Sequence, residues 1–512
     1  MNVMALDPQV CYAAVRSRDA RFDGRFFVAV MTTGVYCRPS CRSRSPRPEN
    51  VRFYRTAQEA EAAGFRPCRR CRPEEWQQSD GSGGIRPGGD TVGLLLPGAA
   101  RTGESSDTVD RVGDMAARIG WSPRHLQRLV GAQVGLTPHT VIRFARLHLA
   151  SRLLRSSRLS VTEVALKTGY PSLRALEEDT ARSFALTPSR FRALSQGAGS
   201  DEPLLAWGPA LNLEMSYAGA FDPSATLRFW ARRAVPGLEE GDESGRWFRR
   251  VLRLCHGFGL FEVKSPATEG APVLLTLRLE SVEDLGEAVQ TVRGSLDLDA
   301  NPSAVLSTLR RDPLLGPIVE KNPGRRVPGH VNGDEMAIRA ILGQQVSVSA
   351  ARTHTARLVA ELGTPLSHPV GTLRFAFPTP EQIVAGGPDL PGMALVASRR
   401  RTVYGFAAAR QAGDVPPLHR GGDPDRIGRA LERLFGIGPW TRAYVALRAL
   451  GDPDAFLASD LGVRQSLERL AGRPFTAREI ERLSEPWRPF RGYAVIQLWA
   501  ELARAATKPP SG

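Results

Sequence analysis

At 512 residues the chain can hold three or four domains, each burying its own core. No apolar run approaches the roughly 20 residues of a membrane span and no secretion signal opens the sequence, which argues against a membrane partner and for a cytoplasmic protein. The formal charge of +15 is unevenly placed: residues 1–76 carry 14 arginines against 8 acids, and residues 107–195 carry 14 basic residues against 7 acids, as expected if that part grips phosphates.

Four of the chain's six cysteines, Cys37, Cys41, Cys68 and Cys71, form a C-x-x-x-C followed by a C-x-x-C within residues 1–76. Four thiolates at this spacing can close a tetrahedral shell around one Zn²⁺. Disulfides are disfavoured, because paired spacings of this kind in a cytosolic chain read as metal ligands. On spacing alone a purely structural Cys₄ site is the favoured reading. Its neighbours, Phe26 to Arg42 and Gly64 to Cys71, resemble the N-terminal domain of the Ada family. The resemblance implies that Cys37 takes a methyl group from a DNA methylphosphotriester in one irreversible transfer, and that Thr33, Arg42, Arg44 and Arg66 touch DNA. The chemistry is reasonable, since a cation keeps a thiolate ionised at neutral pH.

Residues 77–106 are rich in Gly, Ser and Pro and read as a flexible linker. Such a linker gives methyl transfer no obvious mechanical route to the rest of the chain. Residues 107–195 follow a helical pattern, and a weaker boundary lies near Ser195 to Ser200. Ser122 suits an N-cap and Pro123 a first helical position. A helix from Pro123 to Val130 would then present Arg124, His125, Gln127 and Arg128 to a major groove. A long helix, Pro138 to Leu154, leads to a second copy at Val161 to Ser172. The whole resembles the AraC-type DNA-binding domain with its two helix-turn-helix motifs. The acidic run Glu177-Glu178-Asp179 departs from that pattern and should repel the backbone at the second motif.

Residues 203–320 are mixed: Val273 to Leu279 alternates as a strand, whereas Arg246 to Leu254 and Val282 to Val292 look helical. Cys255-His256 is expected to be core packing.

Residues 321–506 are mostly helical and contain Leu434 to Ala443, in which Gly436 and Gly438 permit a tight turn and expose amides at the start of a helix. Asp460 follows 22 positions after Gly438. Hairpin plus aspartate at this spacing resembles the helix-hairpin-helix DNA glycosylases. Arg339 to Val348 and Trp487 to Ala494 bring the resemblance closest to 3-methyladenine DNA glycosylase II, over about residues 205–506. It implies that Asp460 stabilises the sugar cation and positions water. It also implies that Trp440, Tyr444 and Trp499 cage an electron-poor base, and that Gln345 is the wedge filling the gap left in the duplex. Bifunctional relatives carry a lysine where this chain has Trp440, and none lies between Lys321 and Lys508, so a monofunctional enzyme is expected.

The resulting expectation is a multidomain α+β protein: a small zinc-bound α/β domain, an all-α double helix-turn-helix domain, a small α/β domain and all-α helix-hairpin-helix glycosylase domains. It would be a monomer acting on double-stranded alkylated and promoter DNA, with RNA polymerase as a further partner. Two alternatives stay open, a DNA-binding regulator with an inactive glycosylase region and a glycosylase with an inert zinc site.

Overall fold

The computed structural model describes residues 6–76, 112, 113, 116, 121–196, 207–390 and 395–507. The expected linker lies outside these residues, as does the stretch 197–200 of the second boundary. Among the described residues no helix is long and apolar enough to cross a membrane.

The first module pairs α1 (Pro8–Ser17) and α2 (Ala57–Ala62) with a sheet of β1 (Phe27–Val30), β2 (Val35–Cys37), β3 (Val51–Tyr54) and β4 (Arg66–Pro67), in the order β3-β1-β2-β4. Only β2 and β4 run parallel, Val35 opposite Arg66 and Tyr36 opposite Pro67. That register sets Cys37 beside Cys68.

The helical module follows as α3 (Pro123–Val134), α4 (Pro138–Ser156), α5 (Val161–Lys167), α6 (Leu173–Phe184) and α7 (Pro188–Gln196). Ser122 caps α3 by accepting the His125 amide, with Pro123 in the first turn, and α3 runs on past Val130 to a left-handed Gly135. Ser160 and Glu163 form a reciprocal capping box on α5, which satisfies two otherwise unpaired amides. Asp179 is not part of an acidic surface. It is buried, accepts from Tyr170 at 3.3 Å and pairs with Arg182 at 2.9 Å, while Glu178 pairs with Arg174 at 2.9 Å. Of the three acids only Glu177 stands exposed without a bonded partner, so the expected repulsion shrinks.

An antiparallel sheet in the order β5-β9-β8-β7-β6 comes next, formed by β5 (Leu211–Met215), β6 (Glu239–Gly241), β7 (Trp247–Leu254), β8 (Gly257–Lys264) and β9 (Val273–Leu279), with α8 (Pro223–Ala231) and α9 (Leu285–Ser295). The strand expected at Val273 to Leu279 is present, its alternate residues buried. The segment expected to be helical at Arg246 to Leu254 is instead β7. Arg250 misled the periodicity: it points inward among apolar neighbours, because Glu239 and Glu335 neutralise it there. Cys255 and His256 are also not core. Both are exposed at the β7–β8 hairpin, where His256 Nδ1 lies 2.8 Å from Asp284.

The remainder is helical: α10 (Pro302–Leu309), α11 (Gly316–Lys321), α12 (Gly333–Leu342), α13 (Val348–Leu362), α14 (Pro380–Ala385), α15 (Ala397–Ala412), α16 (Pro424–Glu432), α17 (Pro439–Arg448), α18 (Leu461–Ala471), α19 (Ala477–Leu483) and α20 (Arg491–Thr507). A hairpin that the sequence pattern did not suggest, β10 (Thr364–Val370) with β11 (Leu373–Ala376), packs Leu366, Val370 and Leu373 against Val251 and Leu260 of the larger sheet.

Both N-terminal modules are seated directly on this body. Leu126, Val130 and Val134 of α3 share one apolar core with Val289 and Val292 of α9. At the same seam the His148 Nε2 of α4 lies 2.9 Å from the Leu279 carbonyl. The zinc module packs Phe22 edge-on to Phe490, and Arg21 and Arg25 pair with Asp297 and Asp452 at 3.0 and 2.7 Å.

Candidate base pocket and zinc centre

The hairpin between α16 and α17 turns at Gly436, whose φ of +76° favours glycine and where a Cβ would lie 2.2 Å from the Thr402 hydroxyl. Gly438 caps α17 without a side chain, leaving the first-turn amides free for a phosphate. Gln344 Nε2 braces the turn, donating to the Gly436 carbonyl and the Thr441 hydroxyl at 2.9 Å each.

This turn aims Trp440 and Tyr444 from one face of α17 into a cavity of about 530 Å³ between the α/β and helical parts. Trp440 and Tyr444 stack at 5.0 Å and 18°, and Trp499 of α20 closes the third side, 6.1 Å from Tyr444. Asp460 joins them as the N-cap of α18. Its Oδ1 accepts the Val463 amide at 3.0 Å and the Trp499 indole N–H at 2.8 Å, and its Oδ2 accepts the Trp440 indole N–H at 2.8 Å. Three donors therefore fix both carboxylate oxygens in place. Gly462 makes room for this arrangement, since a Cβ there would lie 3.2 Å from both Asp460 Oδ1 and the Trp499 ring.

Asp460, Trp440, Tyr444 and Trp499, which the resemblance implied, thus meet in one site together with groups that the sequence reading missed. Phe229 of α8 stacks with Trp499 at 6.4 Å and 14°. Arg448 lies over Phe229 at 4.7 Å and donates to the Tyr444 hydroxyl at 3.0 Å. A signal for Arg448 existed, because it continues the i, i+4 stripe of Trp440 and Tyr444 along α17. Phe229 had none, lying two hundred residues away on an element read only as mixed.

Glu239 and His330 line one wall, with Glu335 behind it, and the ligand atoms of the three lie within 4.8 Å of one another. Arg339 donates to both carboxylates at 3.0 and 3.1 Å, and Arg250 bridges them at 2.5 and 2.7 Å. Burial alone would raise the Glu335 carboxyl, but Arg250 and its neighbours outweigh it and hold the group well below the usual range. Two guanidinium groups already balance the two acids, so the wall is a charge network rather than a metal site.

Gln345 stands exposed at the tip of the α12–α13 turn with φ +54°, the left-handed region that non-glycine residues rarely adopt.

At the zinc centre all four sulfurs lie within 4.8 Å of one another. A tetrahedral Zn²⁺ with bonds of about 2.3 Å needs sulfurs about 3.8 Å apart, so the cage fits one zinc ion. Hydrogen bonding between the two thiols lowers that of Cys41 and raises that of Cys37. Cys37 is 7% exposed and Cys41 is half-buried. Around them Thr33, Arg42, Arg44 and Arg66 are exposed, as are Arg124, Gln127 and Arg128 on α3. His125 is half-buried, its ring against Trp121 and its Nδ1 2.9 Å from Arg128.

Comparisons with known proteins agree with this division. Three family models match: "Metal binding domain of Ada" at residues 10–74, "Helix-turn-helix domain" at 115–194 and "AlkA N-terminal domain" at 212–332. The chain is 39% identical over 506 residues, 98% of each sequence, to a probable bifunctional transcriptional activator/DNA repair enzyme AlkA of Mycobacterium tuberculosis. Residues covering 56% of the chain are 31% identical to 95% of DNA-3-methyladenine glycosylase 2 of Escherichia coli. A further 35% of the chain is 36% identical to 48% of the bifunctional transcriptional activator/DNA repair enzyme Ada of the same organism. In fold, 58% of the chain superposes on the whole of a 3-methyladenine DNA glycosylase from Archaeoglobus fulgidus, with a TM-score of 0.50 at 21% identity.

Proposed function

The chain belongs to the family of bifunctional transcriptional activator/DNA repair enzymes typified by that mycobacterial AlkA relative, and from this membership we propose that it divides two reactions between Cys37 and Asp460. The first is methyl transfer from a DNA methylphosphotriester. Zn²⁺ held by Cys37, Cys41, Cys68 and Cys71 would supply the charge that keeps Cys37 a thiolate at neutral pH. The Cys37 sulfur attacks the methyl carbon, the carbon–oxygen bond breaks, and its electron pair restores the phosphodiester anion. Arg42, Arg44 and Arg66 hold the flanking phosphates and Thr33 the backbone beside them. The product is a thioether, so each molecule reacts once.

The second reaction is hydrolysis of the N-glycosidic bond of an alkylated base such as 3-methyladenine. The base leaves the duplex while Gln345 occupies its place, and it stacks among Trp440, Tyr444 and Trp499, which prefer an electron-poor ring. The C1′–N bond breaks with its electrons going to the base. The Asp460 carboxylate faces the cation that develops on the sugar and accepts a proton from the water that bonds to C1′. With Trp440 in place of a lysine, no amine is supplied for strand cleavage, and the product is an abasic site. The helix-turn-helix module, reading DNA through Arg124, His125, Gln127 and Arg128, would bring RNA polymerase to promoters once Cys37 is methylated, because the cage then carries one negative charge fewer.

The observation that supports this reading best is the Asp460 carboxylate held by two indole N–H groups of the aromatic cage. Base release from methylated duplex DNA should fall to background in Asp460→Asn, and equal release by both proteins would show the region to be a catalytically silent DNA-binding module. Mass spectrometry after incubation with phosphotriester DNA should find one methyl on the Cys37 peptide. A methyl on Cys41, the less buried sulfur, would move the nucleophile, and none would make the cage inert.

A further inference from the structure

The base pocket has a support that originates in the zinc module. Asp297 lies just beyond α9, wholly buried and held at φ +55°. Its Oδ2 accepts the Tyr493 hydroxyl at 2.5 Å, and its Oδ1 accepts Arg21 at 3.0 Å and Arg420 at 2.5 Å. The Asp297 carbonyl accepts Arg326 at 2.7 Å. Arg21 is the one member of this set that comes from the zinc module, and its guanidinium also sits 5.4 Å from the Tyr493 ring centroid.

Tyr493 stands on α20, the helix that carries Trp499, about 9 Å along the axis at 1.5 Å per residue. The start of α20 is gripped twice more by the same module. Phe22 packs edge-on to Phe490, 6.3 Å between centroids. Arg25 donates to Asp452 at 2.7 Å; Asp452 also accepts the Asp454 amide at 2.9 Å, and Asp454 clamps Arg491, the first residue of α20, at 2.9 and 3.0 Å. On the zinc side, Phe22 and Phe26 share one apolar core with Cys37, Cys68 and Cys71.

We propose that Arg21 is a positioning residue of the glycosylase, acting through Asp297 and Tyr493 on α20, so that base excision depends on the zinc module being folded around its metal. The proposal rests on the reading of Asp460 as the catalytic carboxylate. A buried carboxylate stripped of one of its two guanidinium partners regains solvation only by letting its loop open, and Tyr493 goes with that loop. Trp499 orients Asp460 from the same helix, and small displacements of an oriented group cost rate steeply. A module of this size has too small a core to keep its shape without the ion.

The test uses full-length protein: wild type, Arg21→Gln, Arg21→Lys, and Arg25→Gln in case the first does not fold. Three quantities are measured with and without a zinc chelator, namely zinc content, thermal unfolding and single-turnover release of base from duplex DNA carrying 7-methylguanine. Arg21→Gln should lower the release rate about tenfold with DNA affinity unchanged, and Arg21→Lys should restore most of it. Stripping zinc from wild type should slow release by a similar factor and split one unfolding transition into two. In Arg21→Gln the same treatment should change the rate less than about twofold, as expected when two perturbations act through one contact. The proposal is overturned if zinc-free wild type releases base at full rate with its glycosylase transition unmoved, or if Arg21→Gln matches wild type. Should Asp460→Asn also match wild type, the catalytic assignment fails, and the unfolding data still decide whether the zinc module supports α20.

Discussion

Trp440 donates its indole N–H to Asp460 across 2.8 Å, so a wall of the aromatic cage is also a clamp on the carboxylate. The same dual use holds for Trp499 on the other oxygen. On the proposed reading, base recognition and charge placement are coupled through two side chains, and an aromatic substitute that lacks the N–H separates the functions.

Trp440→Phe and Trp499→Phe should each keep a stacking surface but free one carboxylate oxygen. Each lost charge-assisted hydrogen bond is worth about 1.5–3 kcal/mol, corresponding to roughly 10- to 150-fold in rate if the bond is fully used in the transition state. Single-turnover kinetics at saturating enzyme would show the loss in rate with little change in DNA affinity. Equal losses in affinity and rate would mean that the indoles act only as stacking surfaces.

Gln345 pays for its left-handed backbone, about 1–2 kcal/mol for a residue with a Cβ. Gln345→Gly should raise the urea midpoint while slowing base release, because the proposed wedge is lost as the strain is relieved. Gln345→Ala should slow release without the gain in stability. A Gly variant that excises bases at the wild-type rate would remove Gln345 from the flipping step.

His148 is buried at the seam between the helix-turn-helix module and the sheet, and that burial presses its imidazole down to about 4. An imidazole whose folded pKa lies below its unfolded value takes up a proton first in the unfolded chain. Stability contributed by neutral His148 is therefore complete above about pH 6.5 and is lost as the pH falls towards 4, by up to about 3 kcal/mol. His148→Gln can still donate to the Leu279 carbonyl and should flatten this part of the stability profile, measured by chemical denaturation between pH 4 and 7.

Glu335 is one of two carboxylates that neutralise buried Arg250 and Arg339. Glu335→Gln leaves net positive charge in the pocket wall and should cost about 3–5 kcal/mol. Pairing it with Arg250→Met should recover a large part of that loss in urea melts. Strict additivity of the two changes would contradict the network.

Much of the candidate pocket's layout was legible because the hairpin motif carries its geometry with it. A helix-hairpin-helix turn needs glycine at 436, and the helix that follows must present residues 440 and 444 on one side; Asp460 then lies one short connection away. Several of the elements that misled share a cause in buried charge. Arg250 reads as surface and disguises a strand, yet Glu239 and Glu335, from elsewhere in the chain, let it face inward. Asp179 reads as part of an acidic patch, yet Tyr170 and Arg182 draw it into the core. The seating of the zinc module was invisible too, since Arg21 meets Asp297 across a sequence separation of 276. Local pattern reports what neighbours in sequence impose, and these contacts are imposed by neighbours in space.

The seam between α3 and α9 bears on how such a gene can be cut. Leu126, Val130 and Val134 are as much a part of the sheet module's interior as of their own. A fragment beginning after residue 206 would uncover the greasy flank of α9, and one ending before it would uncover α3. Separate expression of the halves should therefore give sticky, poorly behaved proteins unless that flank is first rewritten with polar side chains, and a lineage that split this gene would have had to make the same repairs.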